Sequence, residues 1–308
     1  MSNAVKTIGV LTSGGDAPGM NAAIRAVVRT GISNGLKVKG IRRGYAGLLE
    51  EDIIDMNNLS VSDIIQTGGT ILYTARCLEF KKKEYQKKAA DICRKHGIDG
   101  IVVIGGDGSF NGASRLSEQG INTIGFDTAI NTAMEAIDKL RDTSESHERC
   151  SVVEVMGRTA GHIALWTGIA SGAEYILTTE KYHGDIQRII TKIQDRRKLG
   201  KKNHIIVNAE GVGNSAEMAK IIEVATGVET RATILGHIQR GGNPTCKDRV
   251  FASAMGTMAV ELLCEGKSNR VVGYKEGEFV DFDIQEALSM SKDLDPYLFH
   301  ITHKLTTR

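Results

Sequence analysis

Residues 101–109 read IVVIGGDGS, an apolar run that leads directly into a glycine-rich turn. The run Ile101–Ile104 is typical of a strand buried on both faces of a parallel sheet. Glycines at its end let the backbone approach a ligand, and the amides of the helix predicted over 111–119 favour an anion. Asp107 would then face a cation such as the Mg²⁺ of a nucleotide. Taken alone, the stretch is explained equally well by a tight turn without a ligand.

Short apolar strands alternate with amphipathic helices along the rest of the chain. Strands are predicted over 6–11, 38–41, 98–104, 121–125, 151–155, 175–177, 204–208, 232–235 and 271–274. Helices are predicted over 19–33, 111–119, 127–143, 161–171, 185–199, 216–226 and 248–265. This alternation indicates βαβ units, and therefore an α/β fold with mostly parallel sheets and ligands at the carboxyl ends of the strands.

The composition is that of a globular enzyme with no obvious macromolecular partner. The 308 residues fit two domains, and 41% of them are hydrophobic and 25% charged. A net charge of +2 gives no reason to expect nucleic acid or a membrane surface as a partner. We find neither a membrane-spanning apolar run nor a signal-peptide pattern, and the scattered cysteines lack metal-ligand spacing. These features predict a cytoplasmic protein with reduced thiols at Cys77, Cys93, Cys150, Cys246 and Cys264.

Two further glycine-rich turns follow predicted strands. Residues 12–25, TSGGDAPGMNAAIR, form a second phosphate-type cradle that is neither a P-loop nor a GxGxxG motif. Arg25 and Arg29 share a helix face, which suits a phosphate, although a solvated basic face is the simpler interpretation. Residues 236–244, GHIQRGGNP, place His237 and Arg240 just past a strand, where a guanidinium can bind a phosphate in bidentate fashion. Residues 153–158, VEVMGR, repeat the order strand, glycine, arginine.

The chain resembles the ATP-dependent 6-phosphofructokinases of the bacterial type over about residues 6–274. The motifs that carry the resemblance are TSGGDAPGMN, GGDGS, VEVMGR, ETRATILGHIQRGG and EAIDKLRDT. GGDG alone would also fit NAD kinases and lipid kinases, but GHIQRGG and VEVMGR point away from those families. The resemblance implies two three-layer domains with mostly parallel sheets. It assigns residues 1–125 and about 240–290 to an ATP-binding domain, and residues 126–239 and about 291–308 to a sugar-phosphate-binding domain.

The implied reaction is the glycolytic transfer of the ATP γ-phosphoryl group to the 1-hydroxyl of fructose 6-phosphate, with Mg²⁺, in a homotetramer. The residues implied to line the ATP site are Gly15, Tyr45, Arg76, Cys77, Asp107, Gly108 and Ser109. Asp107 is the implied metal ligand. Gly108 stands where pyrophosphate-using relatives carry a bulkier acidic residue, which favours ATP. Arg76 and Arg158 would face the charge on the moving phosphoryl group as catalytic residues.

The resemblance implies two more sites. The sugar phosphate would be held by Met156, Gly157, Arg158, Glu210, His237 and Arg240, with Arg149 and Arg231 reaching it from a neighbouring subunit. An effector site for a nucleoside diphosphate or phosphoenolpyruvate would use Arg25, Arg29, Arg141, Glu174, Lys201 and Lys202.

One departure from the family concerns the catalytic base. The family carries a TIDND loop after the strand that follows GGDGS, and its first Asp accepts the proton of the sugar hydroxyl. Here INTIG runs directly into FDTAINTAMEAIDKLRDT, so that a segment of roughly 15–20 residues has no counterpart. Asp127, beside Thr128, is better explained as the N-cap of a helix than as a substitute base. Either the segment is deleted or the 308 residues join pieces that it separates.

Two smaller departures affect the other sites. Lys81 stands where the ATP site usually has an arginine, and Asn58 stands where the effector site has one, so that allosteric control is expected to be weak. The sequence therefore predicts a phosphofructokinase that is impaired if the loop is truly deleted. The alternative is a catalytically silent, nucleotide-binding family member that acts as a regulatory or assembly subunit.

Overall fold

The computed structural model describes residues 5–126, 136–138, 140, 141, 144, 147–290 and 293–305. The chain divides into two compact units, unit 1 with Met1–Ala129 and Arg240–Met290, and unit 2 with Ile130–Gln239 and Ser291–Arg308. The assignment of an ATP-binding and a sugar-phosphate-binding domain to the predicted limits stays a prediction. In the described ranges, no helix has the length and apolarity needed to span a bilayer.

The described strands and helices follow one another closely along the chain. The strands are β1 (Thr7–Thr12), β2 (Lys37–Ile41), β3 (Ile53–Met56), β4 (Gly100–Ile104), β5 (Asn122–Phe126), β6 (Cys150–Val155), β7 (Tyr175–Leu177), β8 (His204–Ala209), β9 (Thr230–Ile234), β10 (Arg270–Lys275) and β11 (Glu278–Asp283). The helices are α1 (Met20–Ser33), α2 (Gly44–Leu49), α3 (Lys83–Lys95), α4 (Asp107–Glu118), α5 (His162–Ala170), α6 (Ile186–Lys198), α7 (Ser215–Thr226), α8 (Cys246–Cys264), α9 (Ile284–Ser289) and α10 (Pro296–Leu305). Short 3₁₀ turns lie at Leu59–Val61, Glu79–Lys81 and Gly236–Arg240.

Unit 1 contains a seven-stranded sheet in the order β11-β10-β5-β4-β1-β2-β3. The inner strands are parallel, and only β3 and β11, at the two edges, pair antiparallel. Thr12 at the end of β1 is in register with Ile104 at the end of β4. The turns after these strands therefore meet at one edge of the sheet.

The apolar run of β4 is buried because helices cover both faces of this sheet. Val102 and Ile104 pack in a core with residues of α1 and α8, whereas Ile101 and Val103 pack in a second core with residues of α3 and α4. All four side chains are inaccessible to solvent. This arrangement confirms the prediction of a buried parallel strand before the GGDGS motif.

Unit 2 contains a four-stranded, fully parallel sheet in the order β7-β8-β6-β9. Cys150, the first residue of β6, is in register with His204 of β8 and Thr230 of β9. Helices α6 and α7 pack on one face, and α5 packs on the other. The carboxyl ends of the strands thus lie at one edge of this sheet and their amino ends at the opposite edge. The mostly parallel α/β fold is confirmed.

The structure differs from the sequence prediction in several elements. The antiparallel edge strands β3 and β11 and the helices α2, α3, α9 and α10 were not predicted. Helix α4 begins at Asp107 instead of residue 111, because Gly106 is already its N-cap, so that Asp107 to Ser109 form its first turn and not a loop. Most of the helix predicted over 127–143, including Asp127, lies outside the described residues.

Candidate active site

In unit 1, the turns after β1 and β4 pack backbone against backbone. The amide of Ser13 donates to the carbonyl oxygen of Ile104 at 3.0 Å. A Cβ atom on Gly105 would overlap the carbonyl oxygen of Ser13, and Gly14 has a φ of +86°, in the region that favours glycine. Glycine is therefore required at both turns, and the sheet edge between them is built from main-chain atoms.

The amino end of α4 faces the same sheet edge. Gly106 caps the helix with extended backbone and has no side chain that could accept from the first-turn amides. The amide of Ser109 donates to the carbonyl oxygen of Gly106 at 2.8 Å, and the helix dipole adds positive potential at this end of the helix. A phosphate group suits such a position, and the carboxylate of Asp107, in the first turn, has the hard oxygen donors that Mg²⁺ prefers.

Tyr45 contacts the first turn of α4. The side chain is 5% exposed, and its hydroxyl donates to the carbonyl oxygen of Ser109 at 2.6 Å. Its ring stacks on Phe80 with centroids 4.3 Å apart, and Gly112 leaves it room, since a Cβ there would lie 2.6 Å from the ring. Burial raises the pKa of the phenol. The structure thus shows Tyr45 bound to α4, and its role in lining an ATP site stays a prediction.

Arg76 and Cys77 follow a segment that is tied to α1. Asn21 Nδ2 donates to the carbonyl oxygens of residues 67 and 68 at 3.1 Å each, and Asn21 Oδ1 accepts from the amide of residue 71 at 2.8 Å. The Arg76 side chain is exposed and Cys77 is half-buried, which raises the pKa of its thiol. Lys81 is exposed in the 3₁₀ turn that follows.

The 3₁₀ turn Gly236–Arg240 carries two residues predicted to bind the sugar phosphate. His237 is exposed and belongs to unit 2, whereas Arg240 is half-buried and belongs to unit 1. Within unit 1, the guanidinium of Arg240 lies against Gly15. Within unit 2, Gln239 Oε1 accepts from the amide of Met156 at 3.3 Å.

A carboxylate holds the turn after β6 in unit 2. Glu210, just past β8, accepts with Oε1 from the amides of Gly157 at 3.1 Å and Arg158 at 2.5 Å. Arg158 has a φ of +51°, an unfavourable conformation for a residue with a side chain. A Cβ atom on Gly211 would overlap the carbonyl oxygen of Arg158, so that Gly211 also makes room for this turn. Glu210 therefore fixes the backbone from which the Arg158 side chain extends.

Polar side chains near the carboxyl end of β7 border the same region. Glu180 Oε1 accepts from the amide of Gly161 at 2.9 Å. The hydroxyl oxygens of Thr178 and Thr179 are buried and have no hydrogen-bond partner among the residues that the structure describes. Because an unsatisfied buried hydroxyl costs about 1–3 kcal/mol, these two groups are notable in a candidate binding site.

Two of the predicted sugar-phosphate residues lie at the opposite edge of the unit 2 sheet. Arg149 precedes β6 and Arg231 is the second residue of β9. Glu229 joins them, with Arg149 Nε 2.7 Å and Arg231 Nη2 2.8 Å from its carboxylate oxygens, and the hydrogen bond from Arg149 lowers the Glu229 pKa. The six residues of β6, at about 3.3 Å each, span roughly 20 Å between this edge and Arg158. The structure therefore does not bring Arg149 and Arg231 together with the other residues of the set in unit 2.

The predicted effector residues fall into two groups. Arg25 and Arg29 lie on α1 of unit 1. In unit 2, Arg141 donates to the carbonyl oxygen of Ser171, and buried Glu174 pairs with Lys201. Lys202 Nζ lies 2.5 Å from Glu148 Oε1. Lys201, Lys202, Glu148 and Glu229 line a common cavity of about 280 Å³.

Sequence reasoning missed the carboxylates that organise these side chains. Glu229 stands two residues before Arg231, and the period of a strand places both on one side, which is a signal that could have identified it. Gln239 and Glu180 carried no comparable signal, because their partners are backbone amides of distant residues.

The family model described as Phosphofructokinase matches the chain in two pieces, residues 7–124 and 121–263. The pieces meet where the TIDND segment has no counterpart. The match removes the NAD kinase and lipid kinase alternatives.

Curated relatives cover nearly the whole chain. An "ATP-dependent 6-phosphofructokinase" of Clostridium botulinum (strain Loch Maree / Type A3) is 58% identical over 315 aligned positions, which cover 96% of this chain and 98% of the relative. One of the same name from Clostridium acetobutylicum is 55% identical over 319 positions, with 98% and 100% coverage. Since 96% and 98% of this chain amount to about 296 and 302 residues, about 17–19 aligned positions have no residue here.

Solved structures share the fold. A phosphofructokinase from Saccharomyces cerevisiae superposes with a TM-score of 0.85 and 33% identity, and the match covers 98% of this chain and 48% of the yeast chain. A pyrophosphate-dependent phosphofructokinase from Marinobacter aquaeolei, at 20% identity and a TM-score of 0.82, covers 95% of this chain and 86% of its own, and shows the fold alone. The chain belongs to the phosphofructokinase family.

Proposed function

We propose that this protein transfers the γ-phosphoryl group of ATP to the 1-hydroxyl of fructose 6-phosphate. The observation that carries the proposal is the 58% identity to a relative named for this activity, over 96% of this chain and 98% of the relative. None of the matches supports the alternative of a silent regulatory or assembly subunit. The arginines and the histidine predicted to bind the sugar phosphate are all present, which also favours an enzyme.

The carboxyl edge of the unit 1 sheet is the proposed nucleotide site. The glycine turn after β1 and the first-turn amides of α4 would bind the phosphates, with Gly108 and Ser109 in that turn. Mg²⁺ fits the donor set, because Asp107 offers a carboxylate at a helix end suited to phosphate, and the ion would neutralise charge on the transferring group. Arg76 and Arg158 would stabilise the same charge. Tyr45 and Cys77 complete the proposed set.

The carboxyl edge of the unit 2 sheet is the proposed sugar site. Met156, Gly157 and Arg158 would contact the sugar from the turn that Glu210 holds, and His237 and Arg240 would bind the 6-phosphate. Arg240 suits this role because a guanidinium donates two parallel hydrogen bonds to a phosphate.

We propose that Arg149 and Arg231 act in the site of a second copy of the chain. They stand at the far edge of the unit 2 sheet, roughly 20 Å from Arg158, so that they cannot reach the site of their own unit. We therefore retain the prediction that they complete the site of a neighbouring subunit in a homotetramer. Glu229 would hold both guanidinium groups side by side for that purpose.

We also propose an effector site and a cellular location. Arg25, Arg29, Arg141, Glu174, Lys201 and Lys202 would bind a phosphorylated effector, weakly because Asn58 replaces an arginine. The protein would act in the cytoplasm.

The test combines product analysis with nucleotide binding. We expect fructose 1,6-bisphosphate from ATP and fructose 6-phosphate, and tight binding of Mg-ATP by calorimetry. Asp107→Ala should weaken Mg-ATP binding about tenfold or more, since a hydrogen bond or contact to a charged group contributes about 1.5–3 kcal/mol. Glu118→Ala, at the other end of α4, is the matched control. Equal Mg-ATP affinities of the two variants, or no transfer even with the missing segment restored, would contradict the proposal.

A further inference from the structure

Gly15 is covered by the side chain of Arg240. A Cβ atom at position 15 would lie 2.8 Å from Arg240 Nε and closer still to Cζ and Nη1. Distances under 3 Å from a Cβ to another heavy atom do not occur in well-packed proteins, so that any side chain at position 15 must displace the guanidinium. Three atoms of the planar group are involved, which shows that its face lies flat on the glycine.

The backbone itself does not demand glycine at this position. The neighbouring Gly14 has a φ of +86°, but Gly15 lies outside the positive-φ region. The left-handed conformation that would exclude an alanine is therefore not present at Gly15. What excludes a side chain there is the guanidinium of Arg240.

The residues after Arg240 rest on a second glycine of unit 1. A Cβ atom on Gly68 would overlap the carbonyl oxygen of Gly242. Asn21 holds the segment around Gly68 through the three hydrogen bonds described above. Residues 240–242 thus contact two glycines of unit 1, one of them in a segment that Asn21 holds by hydrogen bonds.

We propose that Gly15 is a positioning residue for Arg240, and that the turn after β1 serves as the surface on which this arginine is held for the sugar phosphate. The proposal rests on the proposed function, because it takes Arg240 as a ligand of the 6-phosphate. Gly15 thereby acts on the acceptor substrate, in addition to the nucleotide contact that the family resemblance implies for it. A guanidinium held flat loses less conformational freedom when it binds a phosphate, which raises affinity.

The test measures binding of fructose 6-phosphate to the full-length protein by calorimetry, so that it does not depend on turnover. Gly15→Ala should weaken this binding at least tenfold, because the new methyl group displaces the guanidinium. Gly273→Ala is the matched control: position 273 also lacks a positive φ, and its Cβ would meet no atom within 4 Å. We expect its fructose 6-phosphate affinity to equal that of the wild type.

A double-mutant cycle shows whether Gly15 affects fructose 6-phosphate binding through Arg240 or only through the turn proposed to bind the nucleotide. Arg240→Ala should weaken fructose 6-phosphate binding, and the addition of Gly15→Ala to it should weaken binding no further. Additive losses, or an unchanged affinity of Gly15→Ala, would overturn the proposal while leaving the proposed function intact. Wild-type protein that does not bind fructose 6-phosphate would overturn the proposed function, and this inference with it.

Thermal unfolding keeps the proposal testable if Gly15→Ala is unstable. Removal of the guanidinium makes room for the methyl group, so that the double variant should regain the melting temperature of Arg240→Ala. A double variant as unstable as Gly15→Ala would show that the methyl group clashes with something other than Arg240, and would overturn the proposal.

Discussion

The carboxyl edges of the two sheets are built by different means. In unit 1, the turns after β1 and β4 are glycine-rich and pack main chain on main chain, and α4 points its first-turn amides at the edge. In unit 2, the amides of the turns at the same edge are already bonded to carboxylates of the chain, those of Gly157 and Arg158 to Glu210 and that of Gly161 to Glu180.

The difference separates two modes of recognition. An edge that presents helix amides suits phosphate groups through the main chain, and it tolerates changes of side chains better than the addition of Cβ atoms. Because these three amides are occupied, the unit 2 edge relies more on side chains such as that of Arg158 to recognise a ligand. A kinase that brings a polyphosphate and a sugar together would use one edge of each kind.

The largest expected effect comes from the segment that has no counterpart in this chain. We consider insertion of the 17–19 residues that the relatives have and this chain lacks, at residues 121–124, where the two family matches meet. This insertion should raise kcat about 10²–10⁴-fold, because the TIDND aspartate would accept the proton of the sugar hydroxyl. A coupled assay on protein of confirmed mass measures it. Affinities for Mg-ATP and fructose 6-phosphate should change much less.

The same insertion with asparagine in place of that aspartate is the control, and it should restore little activity. Robust turnover by the 308-residue form would contradict this prediction. Loss of that turnover in Asp127→Asn would then identify the substitute base.

Glu210 tests the carboxylate-built edge. Glu210→Ala removes an acceptor shared by two amides and lets Arg158 leave its φ of +51°, so that affinity for fructose 6-phosphate should fall about 10–100-fold. Hydrogen exchange of the Gly157 and Arg158 amides should accelerate in parallel. Glu210→Gln keeps the acceptor oxygen and should retain most of the protection. Equal effects of Ala and Gln on exchange would mean that Glu210 does not hold the turn.

The core of unit 2 also contains a buried histidine, and we expect it to make the stability of the protein sensitive to acid. His204 is inaccessible to solvent, and neither ring nitrogen has a hydrogen-bond partner in the described part of the chain. Burial lowers its pKa to about 4, although Glu174 nearby opposes the shift. Lys201, Arg196 and Arg197 also act on it and favour the neutral form. The unfolded histidine binds a proton below about pH 6.5, whereas the native one does not until about pH 4.

Stability should therefore fall as the pH drops from about 6.5 to 4, by roughly 2–3 kcal/mol from this group at about 1.4 kcal/mol per pKa unit. Urea unfolding at pH 7 and pH 4.5 measures the difference. His204→Leu should remove this part of the pH dependence, whereas His183→Leu, at an exposed position of the same unit, should keep it. Identical pH dependence in both variants would show that His204 is protonated in the native state.

Local sequence patterns predicted the buried strands of the two sheets. They did not predict the polar contacts between residues that are distant in the sequence. The run 101–104 could be identified because every second side chain meets one core and the rest meet the other. Helix α3 was missed although Gln86, Ala89, Ala90 and Cys93 are buried at helical spacing. The edge strands β3 and β11 are mostly half-buried or exposed, and pairing with one neighbour stabilises them more than their own pattern does.

The positions of the candidate residues after strands were predictable from the sequence and their internal contacts were not, while their roles in a site stay predictions. Motif order placed Asp107, Arg158 and Arg240 at the ends of strands, where the structure has them. The contacts of Tyr45 with Ser109 and of Glu210 with Arg158 join residues 64 and 52 positions apart, and they depend on packing that no local pattern encodes. A tyrosine or glutamate that binds a ligand and one that supports the backbone look alike in a sequence.

The smallest expected effect distinguishes these two roles for Tyr45. Tyr45→Phe removes the hydroxyl that donates to Ser109 and keeps the ring on Phe80, so that the free energy of unfolding should fall by about 1 kcal/mol. Mg-ATP affinity should change less than about threefold, because the helix amides remain in place. Urea unfolding and calorimetry on the same variant measure both quantities, and Tyr45→Ala, which also removes the ring, should lose about 3–5 kcal/mol of stability. A Tyr45→Phe variant of unchanged stability with Mg-ATP affinity reduced tenfold would show that the phenol lines the nucleotide site, and that the edge of unit 1 uses a side chain after all.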